Sequence, residues 1–325
     1  MDVSSVAGTR NLLTRRVGMV LVLAAAVVAA ATLQILDANP ATSQTTGISA
    51  LRTEADLGLD PGDGAWDRVP ETELPLTAQQ TSYPFGGGSV TAVTVQALHD
   101  DESLYLRVTW PDSTSDVGTG APEAFSDAVA VQFPSVAAAT VPAVCMGQAS
   151  SGVNIWQWRA DSDAGPPDTM DEIRPNTVVD VPETANEDYP ARVVGNPFDA
   201  EDAGAVQNLL AEGFGTIGPA EDQAVAGHGE HDDQGWTVVL RRELSSTAGG
   251  EPSFRMGEAT DMAFAVWDGA NEERNGLKSV SAFATLALSN DTVPGAGSGW
   301  IIPLVAVMLA AVVIAIARGG MRRSS

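Results

Sequence analysis

Lysine is nearly missing from this chain of 325 residues: sixteen of its 17 basic residues are arginine, and the exception is Lys278. Cysteine is as scarce. Cys145 stands alone, so no internal disulfide can form, and no C-x-x-C pair offers thiolates to zinc or to an iron–sulfur cluster. The C-x-x-C-H sequence that attaches a c-type haem covalently is likewise absent. Positive charge is in deficit: residues 37–299 hold 41 acids against 11 bases, in a chain of net charge −25. Such a field repels phosphate and excludes nucleic acid as a partner. An apolar content of 44% excludes the disorder that often accompanies high net charge. No Ser-His-Asp set, P-loop or catalytic carboxylate pair stands out from so acidic a background. Folded, acidic, lysine-poor surfaces of this kind resemble those of salt-loving archaea.

What is present begins with two hydrophobic runs. Val17–Leu36 is twenty residues without a charge, about 30 Å as a helix, which matches a bilayer's hydrocarbon core. Trp300–Ala317 is the second, with Trp300 placed as an interfacial aromatic. Arginines precede the first run and follow the second, so the positive-inside tendency predicts cytoplasmic termini and an acidic domain outside the cell membrane. Arg15-Arg16 before the first run gives it a second reading, as a twin-arginine export signal. Anchor and signal both place the domain outside. The predicted organisation is a signal-anchor or signal at 1–36, a tether at 37–64 and one folded domain at 65–288. A Gly/Ser linker at 289–299, a transmembrane helix at 300–317 and a cytoplasmic tail at 318–325 follow.

Period-two alternation predicts an all-β domain, an antiparallel β-sandwich with short helical insertions. Leu104, Leu106, Val108 and Trp110 share a face, as do Val129, Val131 and Phe133, then Trp236, Val238 and Leu240, then Met262, Phe264 and Val266. Val90–Leu98 is a further strand, joined to Leu104–Trp110 by the turn His99-Asp100-Asp101-Glu102. Ala205–Glu212, closed by Gly213, reads as a helix, and Trp158–Tyr189 as an irregular acidic excursion.

A lysine held where every other base is arginine draws attention to its amine, which can lose a proton and bind a metal as a guanidinium cannot. Five segments occur in order: A-L-H-D-D-E-S-L-Y-L-R-V-T-W-P-D (Ala97–Asp112), F-S-D-A-V-A-V-Q-F-P (Phe125–Pro134), C-M-G (Cys145–Gly147), N-I-W-Q-W-R-A (Asn154–Ala160) and W-D-G…R-N-G-L-K-S-V-S (Trp267–Ser281). Together they resemble the haem b, or gamma, subunit of type II dimethyl sulfoxide reductase-family molybdoenzymes. Ethylbenzene dehydrogenase, dimethyl sulfide dehydrogenase, chlorate reductase and selenate reductase contain such subunits.

The resemblance implies one non-covalent haem b held between sheets, with Met146 of the M-G motif and Lys278 of the N-G-x-K-S motif as axial ligands. Trp156 and Trp158 would wall it. A thioether is a soft, neutral ligand that favours ferrous iron. A lysine must first shed its proton, at about 4–5 kcal/mol from a pKa of about 10.4 at pH 7, and burial offsets part of that cost. With both axial positions filled, the group would carry electrons and perform no bond chemistry. The implied partners are an iron–sulfur (beta) subunit, a molybdenum catalytic (alpha) subunit and a membrane cytochrome b or quinol-linked donor. Respiratory reduction of nitrate or another oxyanion is the overall reaction expected.

Other residues compete for these roles. Met170, Met256 and Met262 are alternative thioethers, and Cys145 reads as a small apolar residue pointing away from Met146 on a strand. His228 and His231 fall in G-H-G-E-H-D-D, a polar loop whose H-x-x-H spacing could hold a metal ion, while His99 reads as structural. Two rivals from other classes follow: a haem-free surface sandwich that binds carbohydrate or protein, and a metal-binding or sensory ectodomain built on His228 and His231.

Overall fold

The computed structural model describes residues 46–293 except 56, 119–122, 136–141, 166–192, 195 and 197–203. Both hydrophobic runs, Met170 and most of the acidic excursion lie outside the described residues, among which no helix is long and apolar enough to cross a membrane. In chain order the strands are β1 (Gly47–Arg52), β2 (Thr72–Ala78), β3 (Ala92–His99), β4 (Ser103–Pro111), β5 (Ala128–Pro134) and β6 (Val153–Arg159). A four-residue helix, α1 (Ala160–Asp163), leads to β7 (Val206–Ala211), β8 (Gly218–Pro219), β9 (Ala226–Asp232), β10 (Gly235–Glu243), β11 (Ala259–Trp267), β12 (Ser279–Ser281) and β13 (Ala284–Thr292). Pairing is antiparallel except where β1 lies parallel to β13 and β3.

The first sheet holds β9, β10, β4, β3, β1 and β13; the second holds β8, β7, β6, β5 and β12. Two strands change sheet midway. The front of β2 pairs with β3 and its end with β12, while β11 leaves β13 at Met262 and joins β5 at Ala263. Every alternation read from the sequence holds. Trp236, Val238 and Leu240 of β10 face Trp110, Val108 and Leu106 of β4 in register, and all six are buried between the sheets. Val129, Val131, Phe133, Met262, Phe264 and Val266 fill the opposite wall.

Three sequence expectations are corrected. Within 205–212, Val206–Ala211 form strand β7, not a helix. Their Ala, Leu and Gln favour helix, but pairing with β6 across six positions overrides a preference worth tenths of a kcal/mol per residue (~0.2–0.7). The stretch 37–64 is not all tether, because 47–52 is β1, and Leu57 and Trp66 pack with Tyr105 and Leu98 on the outer side of the first sheet. Gln96 fastens that layer by donating from Nε2 to the carbonyls of Trp66 (2.9 Å) and Val69 (2.8 Å). Likewise β13 runs to Thr292, into the predicted linker.

An indole cluster closes one end of the core. Trp236 lies 5.0 Å from Trp158 and 6.4 Å from Trp110, centroid to centroid. Gly229 of β9 accommodates it, since a Cβ there would sit 2.4 Å from Trp158 Cζ2. We expect Gly229→Ala to cost about 1–3 kcal/mol by overpacking in denaturant unfolding, with Gly249→Ala, which faces open space, near neutral.

Candidate functional site

The outer side of the second sheet is built unlike its inner side. On β5 the inward residues are Val129, Val131 and Phe133, and the outward ones are Ala128, Ala130 and Gln132. On β11 the inward Phe264 and Val266 alternate with outward Ala263, Ala265 and Trp267. Register places Ala263 beside Gln132, Ala265 beside Ala130 and Trp267 beside Ala128, with Ile155 and Gln157 of β6 next in the row. Four alanines thus form a level floor bordered by larger side chains. Above it lies a cavity of about 880 Å³, within the range of about 300–1,000 Å³ for small-molecule and cofactor sites. Met146 and Lys278 both line it.

Met146 reaches the cavity from a tight loop. Cys145, Met146 and Gly147 take φ of 71°, 91° and 67°, a left-handed run that is strained for the two residues bearing side chains. Gly147 belongs there because a Cβ would meet Ser151 O at 2.6 Å. Gln132 ties the loop to the floor: its Nε2 donates to Ala143 O and its Oε1 accepts from Met146 N, each at 3.0 Å. Since the loop is not a strand, Cys145 does not point away from Met146 but lines the same cavity. Burial pushes its thiol pKa up, opposed by the charge of Lys278, and a thiol kept protonated is a poor ligand.

Lys278 enters from the other side. It precedes β12 and shares the cavity-facing parity of Val280, while Ser279 and Ser281 turn away and are buried. Its backbone is clamped by the 79–88 segment: Lys278 N donates to Gly86 O (3.2 Å), and Gln79 N donates to Lys278 O (3.0 Å). The fully buried Gln79 side chain fastens that segment, its Nε2 donating to the carbonyls of Ser82, Pro84 and Gly276. Gly87 permits the approach, as a Cβ there would come within 2.2 Å of Lys278 N. The side chain is 6% exposed, and among the described residues its Nζ makes no hydrogen bond or ion pair. Its one polar contact is the Trp267 ring face, 4.7 Å away. Burial therefore lowers the ammonium pKa, only partly offset by Cys145, and favours the neutral amine.

The remaining sequence candidates lie elsewhere. Trp156 and Trp158 do not line the cavity. They occupy the inward parity of β6 and are fully buried in the core, whereas Ile155, Gln157 and Arg159 are the residues of β6 that face the cavity. The cavity itself is outside the sandwich, on one sheet, not between the sheets. His228 and His231 are not in a loop but on edge strand β9, three residues apart and hence on opposite faces. His228 Nδ1 meets Asp163 Oδ1 at 3.2 Å, and His231 Nε2 meets Asp112 O at 3.2 Å, so the pair cannot share one ion. Met256 is exposed and Met262 is core. His99 is buried at the end of β3, bonded to the Asp100 and Ser289 carbonyls. The sequence reading missed Gln79, Gln132, Trp267 and the alanine floor. Alanine at every second position in A-V-A-V-Q and A-F-A-V-W was the available signal.

The fold and cavity define an all-β sandwich with a ligand-sized chamber on the outside of one sheet. The ethylbenzene dehydrogenase family matches residues 63–279, and this chain belongs to that family. A Haloferax mediterranei protein named for a respiratory nitrate reductase haem subunit is 33% identical over 227 residues, 70% of this chain and 67% of its own length. The chlorate reductase gamma subunit of Ideonella dechloratans is 28% identical over 278 residues, 83% of this chain and 95% of its own. The dimethylsulfide dehydrogenase gamma subunit of Rhodovulum sulfidophilum is 27% identical over 252 residues, 74% and 78%. Among solved structures, a family 9 carbohydrate-binding module of Caldicellulosiruptor kristjanssonii covers 77% of this chain and 100% of its own at 9% identity. Its TM-score of 0.39 is too low to bear on function.

An unpaired buried amine destabilises the ligand-free protein. A cation–π contact returns about 0.5–2 kcal/mol, less than the several kcal/mol lost in taking an ammonium from water. We expect Lys278→Met to raise ligand-free stability by about 1–2 kcal/mol at neutral pH. Because the folded-state pKa is the lower one, wild-type stability rises with pH through that value toward the unfolded value, and the advantage of the variant closes in alkali. Thermal melts of both chains across pH check this.

Proposed function

We propose that this chain is the haem b electron-transfer subunit of a membrane-associated molybdoenzyme complex, with Met146 and Lys278 as axial ligands. The observation that carries the reading is Lys278, a buried amine without a hydrogen-bond or charge partner among the described residues, sharing one chamber with a thioether. The chamber fits the group in shape as well, because the alanine rows leave room for a flat macrocycle beside Trp267 and Ile155. A bound haem supplies a one-electron couple near the surface of the subunit.

The chain's own residues set the terms of that couple. Burial lowers the ammonium pKa of Lys278, which reduces the cost of shedding the proton before the amine binds iron. Met146 is neutral in every state, and Gln132 fixes its backbone without adding charge. Met146 and Lys278 would together hold the iron and leave no position open to substrate, so the group would supply electron transfer alone. Arg159 and Arg274 also line the cavity and are the cations available to propionate carboxylates, although Arg159 is already paired with Asp161.

The relatives are named as haem or gamma subunits of reductases and a dehydrogenase, which supports further subunits as partners. The partners in this reading are an iron–sulfur subunit, a molybdenum catalytic subunit and a membrane cytochrome b or quinol-linked donor. The Haloferax relative points to nitrate as the terminal acceptor. The hydrophobic runs 17–36 and 300–317 support attachment to the cell membrane with the domain on its outer face.

Purified full-length chain loaded with haem should show a low-spin spectrum and a b-type pyridine haemochrome. Lys278→Ala and Met146→Ala should each lose low-spin character, whereas His228→Ala should keep it. An unaltered spectrum in Lys278→Ala removes that residue from the site, and a folded chain that takes up no haem ends the proposal. Gln132→Leu frees the Met146 loop while leaving both ligands, so we expect weaker haem retention by about tenfold, read by haem transfer to an acceptor protein.

A further inference from the structure

Away from the cavity, three carboxylates from three strands converge at one end of the sandwich. Asp112 follows β4 of the first sheet, Asp127 precedes β5 and Asp268 follows β11 of the second. One oxygen from each lies within 4.8 Å of the other two. Asp127 is fully buried, and Asp112 and Asp268 are each 8% exposed. Among the described residues no arginine or lysine pairs with any of them. The imidazole of His231 is nearby, its Nε2 3.2 Å from the Asp112 backbone carbonyl.

Hydrogen bonds hold the cluster but leave it incomplete. Asp127 accepts from Gly269 N (2.8 Å), Asp116 N (2.7 Å) and Trp236 Nε1 (2.9 Å). Asp268 accepts from Asn271 N (3.1 Å) and Asn271 Nδ2 (2.7 Å). Asp112 accepts at Oδ1 from Thr114 N and Oγ1, while its Oδ2 is sealed from solvent and accepts from nothing. Among the described residues a buried carboxylate oxygen thus goes without a donor, in a side chain that neighbours two further carboxylates, and a cation is one way to satisfy it.

We propose that Asp112, Asp127 and Asp268 form a calcium site that cross-links the two sheets. The donors are all oxygen, which selects a hard cation over zinc or copper. Calcium accepts six to eight oxygens in irregular geometry, whereas magnesium demands an octahedron and holds on to its waters. A second cavity of about 410 Å³, lined by Asp112, Asp268, Asn271 and Asp233, adjoins the cluster and gives the ion a route in and space for water ligands. The ion would also brace the electron-transfer chamber. Residues 125–126 line that chamber, and Gly269 packs so closely on Phe125 O that a Cβ would clash at 2.0 Å. Burial pushes the Asp127 carboxyl up to about 6, so a proton held there is the competing way to relieve the repulsion.

The test uses full-length chain in molar potassium chloride, which screens the rest of the acidic surface. Calcium should raise the melting temperature above that in chelator, saturably and with one ion per chain. Terbium should give tryptophan-sensitised emission through Trp236, displaced by calcium. Asp112→Asn should weaken binding by at least about tenfold, while Asp101→Asn, on an exposed turn, should not. Should Asp112→Asn fold poorly, Asp268→Asn carries the same expectation. The site is refuted if calcium leaves the wild-type melt unchanged at neutral pH, as a shared proton would have it, or if both Asn variants keep the full calcium increment. Chains with and without haem should respond alike, so a failed haem assignment leaves this result readable.

Discussion

The second sheet is asked to pack on both sides with different materials, and this constraint governs the rest of the molecule. Its inward parity carries Trp156, Trp158, Phe133, Phe264 and Val266, which fill the space between the sheets. Its outward parity carries Ala128, Ala130, Ala263 and Ala265, which leave space above. Side chains in a strand alternate with a period of two, so both surfaces come from the same residues in one register. A slip of one position would bury the alanines and expose the indoles. Core stability and chamber shape are therefore a single specification.

The chamber holds features that a structure selected for stability alone would discard. Lys278 is buried without a hydrogen-bond or charge partner among the described residues, and the loop of Met146 runs through consecutive left-handed residues. Both are held by neutral amides. Gln79 clamps the segment that grips the backbone of Lys278, and Gln132 clamps the loop of Met146. The neutrality matters for Gln132, which itself faces the cavity. A glutamate there would place a carboxylate in the chamber and favour the ammonium form of the lysine. Glu273, the acid that does line the chamber, has its carboxylate engaged by Ser89 N and Asp268 N, and the charge that opposes the effect of burial on the amine is that of the Cys145 thiol.

At the other end of the sandwich the imbalance is of opposite sign. Asp112, Asp127 and Asp268 concentrate negative charge where the two sheets meet, next to the residues that form one side of the chamber. Ionisable groups of one kind buried without a counter-charge among the described residues are the common thread of the two places. In each, hydrogen bonds from backbone and neutral side chains fix the geometry and leave the electrostatics to be completed from outside.

Much of the fold could be read from the chain because strand alternation is a local signal. Leu104 to Trp110, Trp236 to Leu240 and Met262 to Val266 carry their pattern in consecutive residues, and each is a strand. The M-G and N-G-x-K-S motifs were picked out by the family resemblance, and the structure puts their glycines at a left-handed position (Gly147) and a crowded one (Gly276). Residues 205–212 misled, because weak helical preference is a local property and pairing with β6 is not. Which face of β6 looks into the chamber was beyond reach too: alternation separates Trp156 and Trp158 from Ile155 and Gln157 but does not say which set meets the other sheet. Nor could 42 acids in one chain single out three. The sequence determined the strands and the scarcity of amines, both set by short-range chemistry, while the two motif residues came from the family resemblance. Only the tertiary structure decided that Met146 and Lys278, 132 positions apart, share one chamber, that the tryptophans do not, and that three carboxylates meet, because each depends on which strands lie side by side.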